Sequence, residues 1–225
     1  NTMKNLSEHF SWKTYVLFVA ALIATMLLCI CVGSVNIPLK DTVTALWNSL
    51  WGMEIPTGIS KSIILNVRLP RVLNVALVGA ALSLCGAARQ GLLRNPLADG
   101  STLGVSSGAS LGAVLALALG IVIPGTTYGG TMIMAMLFAF LSLVAILGLA
   151  YTLDRSLTTN SIILIGVIFS MFASSVINLV ISFAEDHIKS ITFWTMGSLS
   201  GTNFGHVRIL VIAVLICGTI ILRYA

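Results

Sequence analysis

The chain has 225 residues, of which 57% are hydrophobic and 8% charged, and its formal net charge is +5. A soluble domain carries roughly 25% charged residues, so this chain has too few to cover a water-facing surface. Its lysines and arginines lie singly at the ends of apolar runs, whereas nucleic-acid-binding proteins cluster them on one face. The composition predicts a membrane protein and excludes a nucleic-acid partner.

Long apolar runs without a charged residue extend over Thr14 to Leu39, Val72 to Ala88, Gly100 to Leu153, Ser156 to Ala184 and Ile209 to Leu222. The third has 54 residues, enough for two membrane spans. Continuous apolar runs are typical of transmembrane helices, whereas barrel strands alternate apolar and polar residues. The sequence therefore predicts an all-α, polytopic transmembrane helical bundle in a single domain over residues 1–225. Its six predicted spans cover residues 15–35, 72–93, 103–123, 130–152, 161–183 and 207–223.

The first apolar run is too long for a cleavable signal peptide, and no small-x-small site precedes a soluble domain. A cytoplasmic N-terminus divides the twelve basic residues equally between the two sides. The inner six are Lys4, Lys13, Arg89, Arg94, Arg155 and Arg223, and the outer six are Lys40, Lys61, Arg68, Arg71, Lys189 and Arg208. Four of the outer six lie in or after the long 36–71 segment, where the positive-inside rule counts less. Discounting them favours a cytoplasmic N-terminus.

Two arginines, Arg68 and Arg71, precede the second predicted span. Pro70 between them fits the first turn of a helix, where a missing N–H costs nothing. One interpretation is that the arginines anchor the helix at the membrane interface, with the charge in water and the stem in lipid. The other is that they form a basic pair that binds an acidic partner.

A turn sequence, Asn95-Pro96-Leu97-Ala98-Asp99, follows the second span, and Pro96 biases Asn95 away from helical geometry. The next helix opens with Gly104, Gly108 and Gly112. Glycines four residues apart lie on one helix face and allow another helix to approach closely. The spacing predicts that this third helix packs in the centre of the bundle.

The segment from Glu185 to His206 is too short and too polar to span a membrane. It contains Trp194, a residue typical of membrane interfaces. We interpret the segment as a short amphipathic helix at the outer surface, with a plain interfacial loop as the alternative.

No pattern in the sequence supports catalysis or a cofactor. Ser198 with His206 is the one pair that would serve as nucleophile and base, but no buried carboxylate is available to orient the base. No histidine has a partner at metal-ligand spacing, and there is no P-loop motif. The four cysteines lie in apolar runs and are interpreted as small apolar filler. The spans also lack a central ionisable residue, which proton- or ion-coupled carriers usually need.

Four sequence blocks resemble the FecCD family of ABC importer permeases, which serve iron-siderophores, haem and vitamin B12 in bacteria. The blocks are RLPR (68–71), RNPLADGSTLGVSSGASLG (94–112), ILIGV (163–167) and FWTMGSLSG (193–201). The resemblance covers the chain from about Leu39 onward, and the second block is long and specific. Arg89 departs from the family, which usually has an apolar residue there.

The resemblance implies a larger assembly. Family members have about ten helices, so this chain would be the N-terminal part of a longer domain, truncated after its sixth helix. The permease would pair with a second copy or homologue and with two cytoplasmic ATP-binding subunits, so the chain itself would be no enzyme. An extracytoplasmic substrate-binding protein would deliver an iron chelate, haem or cobalamin. ATP-driven alternating access would carry it across the bacterial cytoplasmic membrane.

The resemblance also assigns residues to roles. Arg68 and Arg71 match a pair that docks the binding protein, and the helix around 162–183 would line the pathway. The matches to a cytoplasmic gate are Asn95, Leu97, Thr158 and Thr159. The matches to a short outer helix are Trp194, Met196, Gly197 and Ser198.

Three other functions stay open on the sequence. A secondary carrier or channel would transport without ATPase subunits. An intramembrane enzyme would depend on Ser198 and His206. A purely structural membrane subunit would tolerate changes at Asn95 and Leu97.

Overall fold

The computed structural model is mostly α-helical, and the part of the chain that it describes holds no β-strand. The described residues are 11–33, 37–51, 62–96, 98, 103–124, 128–156, 158–199 and 201–224. This architecture confirms the predicted all-α class.

Eight α-helices lie in these ranges, together with one π-helical and one 3₁₀-helical turn. The helices are α1 (Trp12–Cys31), α2 (Leu39–Leu50), α3 (Leu69–Leu93), α4 (Val105–Ala118), α5 (Gly129–Leu153), α6 (Thr159–Phe183), α7 (Ile188–Met196) and α8 (Phe204–Tyr224). The π-helical turn, Ile63–Arg68, runs directly into α3, and the 3₁₀ turn, Glu185–His187, precedes α7.

Five helical segments are long and apolar enough to cross a membrane, namely α1, the π-turn with α3, α5, α6 and α8. They contain 20 to 31 residues, which meets the roughly 20 residues that a bilayer core requires. At most 17% of the most apolar stretch of each is buried inside the protein. Such exposed apolar surface fits lipid as the surrounding solvent, in agreement with the predicted polytopic bundle.

The third predicted span, residues 103–123, is shorter in the structure. Helix α4 has 14 residues, a length of about 21 Å at the usual helical rise. It begins after Gly104, whose backbone is left-handed with φ 68°, and it ends before Gly120, with φ 63°. The Ile121 N–H donates to the Ala116 carbonyl and the Gly120 N–H to that of Leu117, which closes the last turn as a Schellman motif. Two glycines therefore set the length of this helix, within a continuous apolar run.

The second span begins earlier than Pro70, where the sequence placed its first turn. The helical backbone already starts at Ile63 and passes through the π-turn. The Leu69 N–H donates to the Ile64 carbonyl, five residues earlier. A proline ring in a regular helix clashes with the carbonyl four residues before it, and a wider turn at this point relieves that crowding. The helical backbone therefore continues through Pro70, whose side chain is buried.

Contacts divide the chain into two compact units, and the single-domain assignment stays a prediction. The first unit comprises Asn1–Ala81 and Leu199–Gly218. In it, α2 packs against α1 and the π-turn. The core of this contact contains Ile30, Ile37, Ala45 and Ile64.

The second unit comprises Leu82–Ser198 and Thr219–Ala225. Helix α4 lies at its centre and packs against α5, α6 and α7. Ala113 and Val114 of α4 are completely buried. A second apolar cluster joins Ile146 and Ala150 of α5 to Ile165 of α6.

Candidate functional site

Arg68 is held inside the protein by the end of α1. Its Nη1 donates hydrogen bonds to the carbonyl oxygens of Ile30 at 2.7 Å and Cys31 at 2.9 Å. The last carbonyls of a helix have no partner within the helix, and a cation there also complements the helix dipole. A Cβ at Gly33 would lie 2.7 Å from the Arg68 Nη2, so glycine leaves room for the guanidinium. Arg68 therefore caps α1.

Arg71 differs from Arg68 although it lies only three residues further along the same helical segment. Its side chain is exposed, whereas Arg68 is half-buried. Of the two arginines expected to dock a partner, Arg68 is therefore hydrogen-bonded within the protein, whereas the Arg71 side chain is exposed. The docking role itself stays a prediction for both.

Helix α2 was not predicted, and it supports the end of α1. Thr42 of α2 is completely buried, and its hydroxyl lies 3.4 Å from the Cys31 thiol, which donates to it. The apolar residues Leu39, Val43 and Leu46 recur at helical spacing, so the signal was present within a segment read as an outer loop.

The predicted gate residue Asn95 lies in a hydrogen-bonded turn at the end of α3. Arg94 closes the helix in the left-handed region with φ 47°. The Asn95 N–H donates to the Gln90 carbonyl at 3.2 Å, and the Asn95 carbonyl accepts from the Ala98 N–H at 3.1 Å. Leu97, the second residue predicted there, lies outside the described residues.

Thr158 and Thr159, the other two predicted gate residues, stand at the start of α6 beside Asp154. The Asp154 Oδ2 accepts hydrogen bonds from the hydroxyls of Thr158 at 2.7 Å and Ser161 at 2.8 Å, and from the Thr158 N–H at 3.3 Å. Its Oδ1 accepts from the hydroxyl and the N–H of Ser156. This network was not predicted, although its members lie within seven residues of Asp154.

These bonds stabilise the charged form of the carboxylate. The hydroxyl of Ser156 contributes most, followed by those of Thr158 and Ser161, and together they hold the pKa of Asp154 well below its usual range. Desolvation acts in the opposite direction and is outweighed. Asp154 is therefore an anion at neutral pH, fixed at the positive end of the α6 dipole.

Helix α6 also carries a shallow, open groove of about 430 Å³. Its lining residues all belong to this helix: Val167, Ser170, Met171, Ser174 and Ser175. The Ser170 and Ser175 hydroxyls donate to the carbonyls of Gly166 and Met171. The groove is thus mainly apolar, with serine hydroxyls and no charged side chain in its lining, and it lies on the helix predicted to line a pathway.

The glycine seam, defined here as Gly104, Gly108 and Gly112, lies against α5 and α6. A Cβ added to Gly104 would lie 2.7 Å from the Ile146 Cδ1, one at Gly108 2.5 Å from the Ser142 Cβ, and one at Gly112 2.6 Å from the Phe138 Cβ. Side chains do not approach this closely, so each position requires glycine for α4 to pack as it does.

The predicted outer helix corresponds to α7 and has different limits. Trp194 and Met196 lie in its last turn, and Gly197, with φ 71°, ends it. Gly197 and Ser198 therefore follow the helix instead of belonging to it. Which side of the membrane the helix occupies stays a prediction.

His206 has a local structural role at the start of α8. Its Nδ1 accepts the Asn203 N–H at 3.3 Å, and the Asn203 Oδ1 accepts the His206 N–H at 3.2 Å. This reciprocal pair resembles a capping box.

No group of three His, Cys, Asp or Glu that would hold a metal ion occurs among the residues the structure describes.

Comparison with known proteins gives consistent matches over most of the chain. A family model described as the FecCD transport family matches residues 21–225. The chain is 38% identical to an uncharacterised ABC transporter permease protein of Bacillus subtilis, YvrB, over 94% of the chain and 60% of that protein. It is 32% identical to the molybdate import system permease protein MolB of Haemophilus influenzae, over 89% of the chain and 58% of that protein.

A solved structure matches the fold over the same part of the chain. It is described as an inward-facing conformation of a proposed metal-chelate type ABC transporter. The match has a TM-score of 0.74 and 27% sequence identity, and it covers 94% of this chain and 61% of that one. The chain thus spans about three fifths of the length of the proteins that it matches.

Proposed function

Because the chain belongs to the FecCD transport family, we propose that it is part of the permease subunit of a binding-protein-dependent ABC importer. The observation that carries the proposal is the family match over residues 21–225. Five apolar spans and relatives named as ABC permeases support it. The permease sits in the bacterial cytoplasmic membrane with its N-terminus inside, and it works beside a second permease copy or homologue.

The cargo that we propose is a metal-containing complex: an iron chelate, haem or cobalamin. MolB is named for molybdate, and the matching solved structure is described as a metal-chelate type transporter. The groove on α6 supports a pathway that contacts such a cargo through hydroxyl and apolar groups. A path without fixed charge binds weakly, and weak binding favours release of a large cargo.

The energy for transport comes from outside this chain. Two cytoplasmic ATP-binding subunits switch the permease pair between outward- and inward-open states. Neither α5 nor α6 contains an Asp, Glu, Lys or Arg, so these spans offer no side chain for proton coupling of the usual kind. A substrate-binding protein delivers cargo to the outer face through acidic residues that meet Arg71, with Arg68 behind it.

Reconstitution tests the proposal against its main alternative, a carrier or channel that needs no ATPase. The assembled importer is placed in vesicles with its binding protein, and uptake of ferric hydroxamate, haem and cyanocobalamin is measured with and without ATP. We expect uptake of at least one cargo to require both ATP and the binding protein. Equal uptake without ATP would establish the carrier or channel instead.

A further inference from the structure

Five hydrogen bonds converge on the carboxylate of Asp154, between the end of α5 and the start of α6. Three donors are the hydroxyls of Ser156, Thr158 and Ser161, and two are the N–H groups of Ser156 and Thr158. Bonds to a charged acceptor are about twice as strong as neutral ones. The carboxylate therefore fixes side chains as well as the backbone of the α6 entrance.

A closed triangle of oxygens holds Thr158 in particular. Its Oγ1 lies 2.7 Å from the Asp154 Oδ2 and 2.9 Å from the Ser161 Oγ, and Ser161 binds the same carboxylate oxygen at 2.8 Å. An ordinary helix cap needs only a bond from a backbone N–H to the capping side chain. The Thr158 hydroxyl adds a bond to the same carboxylate oxygen, and this bond favours one χ1 rotamer of an exposed threonine.

We propose that Asp154 is a positioning residue for the inner gate: it holds Thr158 in one rotamer and thereby keeps the gate closed in the resting importer. The proposal rests on the proposed function and on the family resemblance, which matches Thr158 and Thr159 to that gate. Asp154 acts through Thr158 and does not contact the cargo. The network also ties the gate to the pathway, since α6 carries both the triangle and the groove.

Two variants and one control separate positioning from general stability. Asp154→Asn keeps the size of the side chain but replaces one acceptor oxygen by an amide that only donates. Ser161→Ala removes one corner of the triangle. The matched control is Thr25→Val in α1, where the hydroxyl donates to the Ala21 carbonyl of the preceding turn, at 2.8 Å.

The experiment measures the leak of trapped calcein from vesicles that contain the assembled importer without ATP. We expect Asp154→Asn to raise the leak rate about fivefold, the low end of the coupling range between linked sites. Ser161→Ala should raise it less, and Thr25→Val should match the wild type. A wild-type leak rate in Asp154→Asn, or an equal rise in Thr25→Val, would overturn the proposal.

A second measurement keeps the proposal separate from the function on which it rests. Loss of ATP-dependent uptake in the wild-type importer would refute the proposed function, whatever the leak. Hydrogen exchange in the first turn of α6 then tests the positioning role of Asp154 without a measurement of transport. It should speed up in Asp154→Asn and stay unchanged in Thr25→Val, and unchanged exchange in Asp154→Asn would overturn the positioning role.

Discussion

The Nη1 of Arg68 donates a 2.7 Å hydrogen bond to the carbonyl oxygen of Ile30, which stands 38 positions earlier in the chain. Ile30 is only 2% exposed, so its carbonyl lies where water cannot easily replace a lost partner. The bond explains why a charged residue is kept at the junction between the π-turn and α3. It also distinguishes the two arginines of the RLPR sequence: Arg68 caps α1, whereas the Arg71 side chain is exposed.

Replacing Arg68 should therefore destabilise the protein, whereas replacing Arg71 should not. Arg68→Met keeps the aliphatic stem and removes the donors. We expect it to lower the free energy of unfolding by about 1.5 kcal/mol, the low end for hydrogen bonds of a charged group, because Arg68 is half-buried. Arg71→Met is the matched control, and both are measured by unfolding in mixed micelles. Equal stability of the two variants would contradict the capping role.

Arg71 should govern the encounter with the binding protein. An exposed charge acts mainly on the association rate and is screened by salt. Arg71→Glu should slow association roughly tenfold at low ionic strength, and the difference from the wild type should shrink in high salt.

Arg223→Glu gives the same change in net charge at the other predicted side of the membrane. It should leave the association rate unchanged. A slower association in Arg223→Glu than in Arg71→Glu would speak against both the docking role and the assigned orientation.

The glycine seam should not tolerate even one methyl group. Gly108→Ala would bring a Cβ to 2.5 Å from the Ser142 Cβ, and overpacking of this kind costs about 1–3 kcal/mol. Gly148→Ala in α5 is the matched control, because a Cβ there meets nothing within 4 Å. It should be neutral or stabilising by less than about 1 kcal/mol, since alanine is the better helix former. Thermal unfolding of the two variants in detergent compares them directly.

The Asp154 network should be insensitive to pH over the physiological range. Its pKa is lower in the folded protein than in the unfolded chain, so its stabilising contribution is complete above the unfolded value of about 4 and is lost only as the pH falls below it. Hydrogen exchange at the start of α6, corrected for its intrinsic pH dependence, should be constant from about pH 8 to 5. A transition with a midpoint inside that range would show that another titrating group controls this turn.

The spans were predictable because a bilayer demands long apolar runs, and such runs are visible in one sequence. The limits of α5, predicted as 130–152, differ from the observed Gly129–Leu153 by one residue at each end. The third span was predicted too long because hydropathy does not register backbone conformation. In the sequence, Gly104 and Gly120 do not differ from other residues of an apolar run. Their positive φ angles, which mark the two ends of the helix, are visible only in the structure.

The site was predictable only where its interactions are local. Asp154 and its hydroxyl partners lie within seven residues of one another. A carboxylate followed by Ser156, Thr158 and Ser161 could therefore have been recognised in the sequence as a local hydrogen-bond network. The bond from Arg68 to Ile30 could not be predicted, because a single sequence does not show which positions 38 residues apart are in contact. The resemblance identified both arginines as one pair, and the structure separates them by burial.

The glycine seam has a consequence for how the protein moves. Backbones in such close contact cannot slide past one another without steric collision, so α4 and α5 travel as one rigid body during any change of state. Gly104 also packs against Gly166 and Phe169 of α6, so α6 moves with the same body and any hinge lies outside the three helices.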